Sequence, residues 1–197
     1  MVFEDHTFKL DTKKLYKESM ESLDDYSLNE FMPLTASSFF KEEYKNRNIQ
    51  EEYILSYLYS AKILADKAKN DHKSYMVTIF SVSIPCIYLC RHSLELTLKF
   101  HIKNNSKNKL NHNLLNLWKE FMFQISSEQS EDDKKILASM EEFICSIDKL
   151  DHKGTQLRYA TEKNGAYTQK SFLWVNPQYI VSETESFIKQ LKSLSTK

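Results

Sequence analysis

The spacing of apolar residues constrains this chain more than any other feature of its sequence. Apolar side chains recur every three or four positions, which is the period of an amphipathic helix. Only 2 glycines and 3 prolines occur in 197 residues, so long helices with few tight turns are expected. An all-α bundle of five or more helices is therefore predicted. Its helical stretches lie at about residues 49–70, 73–104, 110–125, 130–150 and 177–194.

The predicted domain organisation is simple, because the length of the chain suits one helical domain, residues 1–197. Residues 1–48 predict an N-terminal lead-in with one or two short helices, and residues 49–197 predict the core of the bundle. Within that core, Asn164-Gly165 separates two polar and aromatic stretches. Since Asn-Gly suits a turn in which both central residues need positive φ, a small peripheral β-hairpin is predicted at about residues 155–175.

Composition narrows the class of protein. Positive and negative side chains balance at 27 each, so no overall field steers the molecule to nucleic acid, although a local basic patch stays open. Three cysteines without a CxxC pair suit a reducing cytosol. The most apolar stretch, residues 76–90, contains Pro85 and is short for a membrane span. A cytoplasmic protein with no membrane segment and no cofactor is predicted.

A polar stripe on the central helix is the most informative local feature. Arg91, Glu95 and Lys99 are four residues apart each time and therefore share one face, with His92 beside Arg91. One interpretation is a solvent-exposed face whose ion pairs each contribute roughly a few tenths of a kcal/mol. The other is a cleft or a buried ion pair, because the residues just upstream are apolar on all sides. The sequence favours neither interpretation.

A buried Arg91 would need carboxylate partners, since an uncompensated buried charge is strongly destabilising. Glu95 on the same helix is one candidate, and Asp148 and Asp151 near the end of a later helix are others. His112 lies near a predicted helix start, where the helix dipole favours a neutral imidazole that can act as a base. Packing or capping is the alternative role for this histidine. No two histidines have zinc-ligand spacing on one helix, so no metal site is expected.

A resemblance to the HEPN class of small bacterial helical proteins rests on three segments: YLCRHSLELTLKFHI, HNLLNLWKEF and SIDKLDHKGTQLRYATEKNG. They are similar to an Arg-His-x-x-Glu-Leu-x-Leu-Lys helix, a His-x-Leu-x-x-Leu-Trp helix start, and a later Phe-Arg-Tyr-Pro segment before a hairpin. The likeness covers roughly residues 80–190. Leu157 stands in place of the usual Phe, and Ala160 in place of the usual Pro.

The resemblance implies a helical bundle that often dimerises. Many HEPN proteins are ribonucleases of toxin–antitoxin, CRISPR or abortive-infection systems, and they use an Arg-x4-6-His motif. That motif is absent from this chain, so cleavage would need another pair of residues. Such a pair is Arg91 or Arg158, holding a phosphate, with His112 moving a proton. In this chain, the positions that match the pattern are occupied by Arg91, His92, Glu95, Lys99, His112, Arg158 and Tyr159.

Two functions are predicted from these residues. The first is a HEPN-like binding or effector module in bacterial defence or stress response, which recognises RNA or a nucleotide through an Arg/His cleft. It is expected to form a homodimer and to act with a partner protein from a defence operon. Its enzymatic version is a ribonuclease with His112, Arg91 and Arg158 as catalytic residues. The predicted binding residues are His92, Glu95, Lys99, Asp148 and Tyr159.

The second predicted function belongs to a different class. It is a non-catalytic protein-interaction scaffold, in which the polar stripe of the central helix is a structural ion-pair network.

Overall fold

The described part of the chain is all helical. The computed structural model describes residues 48–70, 75–102, 112–125, 130–168 and 175–195. These ranges contain five helices and no strand. The helices are α1 (Ile49–Asn70), α2 (Tyr75–His101), α3 (Leu114–Gln124), α4 (Glu131–Leu150) and α5 (Pro177–Ser195). The predicted all-α architecture with at least five helices is confirmed.

Helix α2 is the centre of the bundle, and it packs against α1, α3 and α5. Helix α1 also contacts α5, and α3 contacts α4. All five helices belong to one compact unit, Arg47–Lys197. The predicted lead-in, residues 1–48, lies outside the described residues except for Asn48. Pro85 lies inside α2 without ending it, and no described helix combines the length and the apolar character that a membrane crossing requires.

The apolar stripes of the helices form one core, as their spacing predicts. Leu94 and Leu98 of α2 are fully buried at its centre. The Trp118 ring of α3 lies 5.8 Å from the Phe187 ring of α5, so these two helices contact each other in the core. Each such side chain contributes about 1.5–3 kcal/mol when it is removed from water. The other helices add Ile54, Leu58, Ala61, Ala65, Leu114, Leu117, Phe121, Leu137, Met140, Ile144, Ile147, Ile180, Val181 and Leu191.

Three helix starts are fixed by capping side chains. Asn113 precedes α3, and its side-chain oxygen accepts a hydrogen bond at 2.8 Å from the backbone N–H three residues later. Ser130 does the same for α4 at 3.1 Å, and Asn176 for α5 at 3.1 Å. Each cap satisfies one of the N–H groups that the first turn of a helix leaves unpaired. Asn113 also places the residue before it, His112, at the edge of the bundle.

The loop after α4 turns at Gly165, but Asn164 does not have the positive φ of the predicted two-residue turn, and the predicted β-hairpin over residues 155–175 is not confirmed. Thr161 and Tyr167 form a single antiparallel bridge, and Gly165 between them has φ 82°. Backbone hydrogen bonds flank this bridge, from the Glu162 N–H to the Ala166 carbonyl at 2.7 Å and from the Thr168 N–H to the Ala160 carbonyl at 3.0 Å. The last part of the predicted hairpin lies outside the described residues.

Candidate functional site

Arg91 lies where α2 meets the start of α3 and the loop after α4, and its side chain is only 2% exposed. Nη1 donates to Glu95 Oε2 at 3.0 Å, and Nη2 donates to the His112 carbonyl at 2.5 Å. Nε donates to the Asp151 carbonyl at 3.2 Å. It also lies 3.3 Å from Asp151 Oδ2, close enough for an ion pair but without hydrogen-bond geometry. We call Arg91, Glu95 and Asp151 the buried network.

Gly154 lies against the Arg91 guanidinium and completes its enclosure. A Cβ at this position would stand 2.9 Å from Arg91 Nη2 and 3.2 Å from Cζ. Gly154 also has φ 69°, a conformation that residues with a Cβ rarely adopt. Its N–H donates to the Asp151 carbonyl at 3.2 Å, which closes the turn around Arg91. The buried network therefore needs glycine here both for space and for backbone conformation.

Glu95 connects the buried network to the surface. Its side chain is 4% exposed, and Oε1 accepts hydrogen bonds from Lys99 Nζ and His112 Nδ1, both at 2.7 Å. Burial alone would raise the pKa of Glu95, but the hydrogen bonds from Lys99 and His112 outweigh this effect, and the pKa lies below its ordinary value. Glu95 is therefore an anion at neutral pH, and His112 Nδ1 carries the proton that it donates to Glu95.

A second imidazole repeats this arrangement next to the first. His152 Nδ1 donates to Asp148 Oδ2 at 2.6 Å, and the side chains of His152 and Asp148 are 62% and 5% exposed. Asn113 Nδ2 donates to the His152 carbonyl at 3.0 Å and more weakly to Asp148 Oδ1 at 3.4 Å. The His112 side chain is similarly 65% exposed. Two exposed imidazoles therefore stand on buried carboxyl groups, and Asn113 joins them.

We call Lys99, His112, His152 and Arg158 the rim. These four side chains reach solvent, and they bond to Glu95, to Asp148 or, for Arg158, to Gly154. Lys99 is 23% exposed where it leaves Glu95. Arg158 is exposed, and its Nε donates to the Gly154 carbonyl at 2.7 Å. The Arg158 Cζ lies 5.8 Å from the centroid of the Tyr159 ring. The rim thus combines two cations with two imidazoles.

His92 belongs to the helix interface rather than to the rim. Its ring meets Tyr57 of α1 edge to face at 4.5 Å and stacks on Tyr88 at 5.8 Å between centroids. Burial lowers the pKa of His92; Glu95 opposes this shift, whereas Lys99, Arg91 and Arg158 add to it. A neutral, half-buried imidazole at this position has the contacts of a packing residue.

The structure brings most of the predicted site residues into one region and adds two that the sequence did not identify. Arg91, Glu95, Lys99, His112, Asp148 and Arg158 are joined by the contacts above, and Tyr159 adjoins Arg158. His152 and Gly154 are the additions. His152 follows Asp148 by four residues, the same spacing that drew attention to Glu95 and Lys99. Helical spacing could not identify His152, because the helix ends at Leu150 and His152 lies beyond it.

Neither comparison with known proteins nor metal-ligand geometry identifies a function for this region. No family model, curated protein or solved structure matches this chain. Within the described ranges, no three His, Cys, Asp or Glu side chains are arranged to hold a metal ion. Function is therefore inferred from the buried network and the rim themselves.

Proposed function

We propose that this chain is an RNA- or nucleotide-binding module whose binding surface is the rim. The observation that carries the proposal is the pair of exposed imidazoles, His112 and His152, each held through Nδ1 on a buried carboxyl group. An imidazole held in this way offers Nε2 to a ligand at a fixed position, which reduces the entropy lost on binding. Lys99 and Arg158 supply cations that donate to phosphate oxygens.

Aromatic side chains in the loop after α4 favour a ligand with unpaired bases. Tyr159 and Tyr167 are 58% and 76% exposed. Bases stack on rings of this kind, at about 1–3 kcal/mol per base. A duplex keeps its bases stacked on one another, so single-stranded RNA or a nucleotide suits this surface better.

Charge balance sets the expected strength of binding. Lys99 is paired with the Glu95 carboxylate, and the chain as a whole carries 27 basic and 27 acidic residues. A phosphate therefore meets directed hydrogen-bond donors rather than a strong positive field. With two phosphate contacts, from Lys99 and Arg158, the logarithm of affinity for single-stranded RNA should fall with the logarithm of salt concentration at a slope of about −1.4.

Fluorescence anisotropy with a labelled single-stranded RNA tests the proposal. Lys99→Ala and Arg158→Ala should each weaken binding and make the salt slope shallower by about 0.7, because each removes one phosphate contact. Lys135→Ala is the matched control, since Lys135 is 77% exposed and pairs with Asp132 on the first turn of α4. Equal losses in all three variants, or no binding at low salt, would contradict the proposal.

The biological setting rests on the HEPN resemblance in the sequence. It comprises a homodimeric effector of bacterial defence or stress response and a partner protein from a defence operon. The order and spacing of the three similar segments support this setting, and it stays a prediction. Light scattering of the eluting protein measures the mass in solution and tests the homodimer directly.

A protein-interaction scaffold is the second candidate, and the burial of Arg91 favours it. Each nitrogen of the Arg91 guanidinium donates within the protein, to Glu95, His112 and Asp151. In the scaffold, the buried network fixes the start of α3 and the loop after α4 so that they keep one shape for a partner. A scaffold binds no RNA, so the anisotropy measurement separates the two candidates.

A further inference from the structure

We propose that His112 and His152 are a general base and a general acid that cleave the RNA bound at the rim, without further groups from a cofactor. This inference rests on the proposed function, because the substrate must first bind there. It goes further by naming a second histidine, a reaction and a role for each imidazole.

The partner of each ring fixes its tautomer. His112 Nδ1 and His152 Nδ1 both face carboxyl oxygens, at 2.7 and 2.6 Å. A carboxylate accepts hydrogen bonds and cannot donate them, so each Nδ1 carries a hydrogen. In each ring Nε2 is then the atom that can accept a proton in the neutral form or donate one in the charged form. Glu95 and Asp148 hold the rings in place, so they are positioning residues.

Asn113 links the two histidines. Asn113 follows His112 directly in the chain, and its side-chain amide donates to the His152 carbonyl at 3.0 Å. The Asn113 backbone begins α3 and its side-chain oxygen caps that helix, so this bridge cannot move freely. A base and an acid for one phosphodiester must lie on two sides of one phosphorus atom, within reach of two oxygens. Because Asn113 adjoins His112 in the chain and contacts His152, it holds the two imidazoles in the same region, where the proposal assigns them to one phosphodiester.

The roles of the two rings follow from the charges around Glu95 and Asp148. Glu95 accepts hydrogen bonds from two cations, Arg91 and Lys99, in addition to His112. Within the described residues, Asp148 accepts them only from the neutral Asn113 and from His152. The carboxyl charge is compensated under His112 and not under His152. We therefore assign the proton acceptor to His112 and the proton donor to His152.

The reaction needs no group beyond the substrate and these two side chains. His112 Nε2 takes the proton of the ribose 2′-hydroxyl, and the 2′-oxygen forms a bond to phosphorus. The bond between phosphorus and the 5′-oxygen breaks, and His152 Nε2 gives its proton to that leaving oxygen. The products are a 2′,3′-cyclic phosphate and a 5′-hydroxyl, and the two histidines have exchanged protonation states. Lys99 and Arg158 donate to the phosphate oxygens, where negative charge develops.

The experiment uses the full chain, with EDTA present, and single-stranded RNA as substrate. His112→Asn and His152→Asn keep an amide that can donate to Glu95 or Asp148, so each fold is retained while proton transfer is lost. Both variants should lower the cleavage rate by about 100-fold or more. His101→Asn is the control, since the charges that act on this histidine are those of Glu51 and Lys192, which do not belong to the rim. It should leave the rate unchanged.

A modified substrate separates the acid from the base. An RNA with sulfur in place of the 5′-bridging oxygen has a leaving group that departs without protonation. This substrate should restore the rate of His152→Asn to nearly that of wild type, and it should leave His112→Asn slow. Restoration of His112→Asn instead, or of neither variant, would overturn the assignment, because a merely structural histidine is not rescued by a better leaving group.

Binding data keep this inference distinct from the proposed function. A 2′-deoxy analogue of the same sequence should bind as tightly as the RNA and should not be cleaved. If the wild-type protein binds the RNA but does not cleave it, the acid–base pair is overturned and the binding function stands. If neither strand binds, both fail. Cleavage that is unchanged in His152→Asn also overturns the pair.

Discussion

Two arginines of this protein, Arg91 and Arg158, carry the same functional group but differ in burial and in hydrogen-bond partners. Arg91 is 2% exposed and donates to residues of α2, of the start of α3 and of the loop after α4. Arg158 is exposed and donates to Gly154, four residues earlier in the same loop. The first arginine joins distant segments, whereas the second leaves most of its guanidinium to solvent.

This difference shows how one type of charge serves two purposes. A buried guanidinium stabilises only when partners replace its lost water, so the buried network is demanding in geometry. An exposed guanidinium keeps its hydration and contributes little to folding, so it remains available to an anionic ligand. Glu95 belongs to both regions, because one oxygen binds Arg91 and the other binds Lys99 and His112.

The largest effect on stability is expected from Arg91. Arg91→Met removes the cation while Glu95 and Asp151 stay buried, which should lower the free energy of unfolding by about 3–5 kcal/mol. Arg158→Met should lower it by less than about 1 kcal/mol, because this side chain is exposed. Urea denaturation of the two variants measures both values. Similar losses in the two variants would remove the distinction between the buried network and the rim.

A smaller effect is expected from a methyl group beside the Arg91 guanidinium. Gly154→Ala and Gly165→Ala both place alanine at positive φ, 69° and 82°, which costs roughly 1–2 kcal/mol in each case. Only at Gly154 does the new Cβ meet another side chain, at 2.9 Å, whereas it meets nothing within 4 Å at Gly165. Gly154→Ala should therefore cost about 1–3 kcal/mol more than its matched control.

A double variant tests whether Arg91 causes that excess. In Arg91→Met/Gly154→Ala, the fixed guanidinium is gone, so the additional cost of the methyl group should shrink in the double-mutant cycle. Thermal or urea unfolding of the four proteins gives the coupling free energy. Strict additivity would show that the close approach at Gly154 does not strain the buried network.

The smallest effect is the pH dependence of the stabilisation that Glu95 provides. The pKa of Glu95 in the folded protein lies below the ordinary value of 4.5, so its ionised form is favoured by folding. That stabilisation is complete above about pH 4.5 and is lost as the pH falls through the folded-state pKa. The difference in stability between wild type and Glu95→Gln should therefore be constant near neutral pH and decrease in acid. Urea unfolding at a series of pH values measures it, and a difference that grows in acid would contradict the sign.

Helix positions and starts were predictable, because their causes are local. Asn113, Ser130 and Asn176 cap α3, α4 and α5, and a cap bonds a backbone N–H only three residues away. The loop after α4 was less predictable. Asn164-Gly165 predicts a turn with positive φ at both residues, but only Gly165 has it, and the described residues pair at a single bridge, Thr161 with Tyr167.

The sequence by itself determined that Arg91, Glu95 and Lys99 share one face of a helix, because helical periodicity is a property of neighbouring residues. It also put Asp151 among the partners of a buried Arg91. Only the tertiary structure decided that this face is covered at Arg91 and open at Lys99, since burial depends on the segments that pack over it. Tertiary structure alone also joined Asn113 to His152 across 39 residues. The physical reason is that a pair so distant in sequence meets only when separate helices pack, so no local pattern of residues encodes the contact.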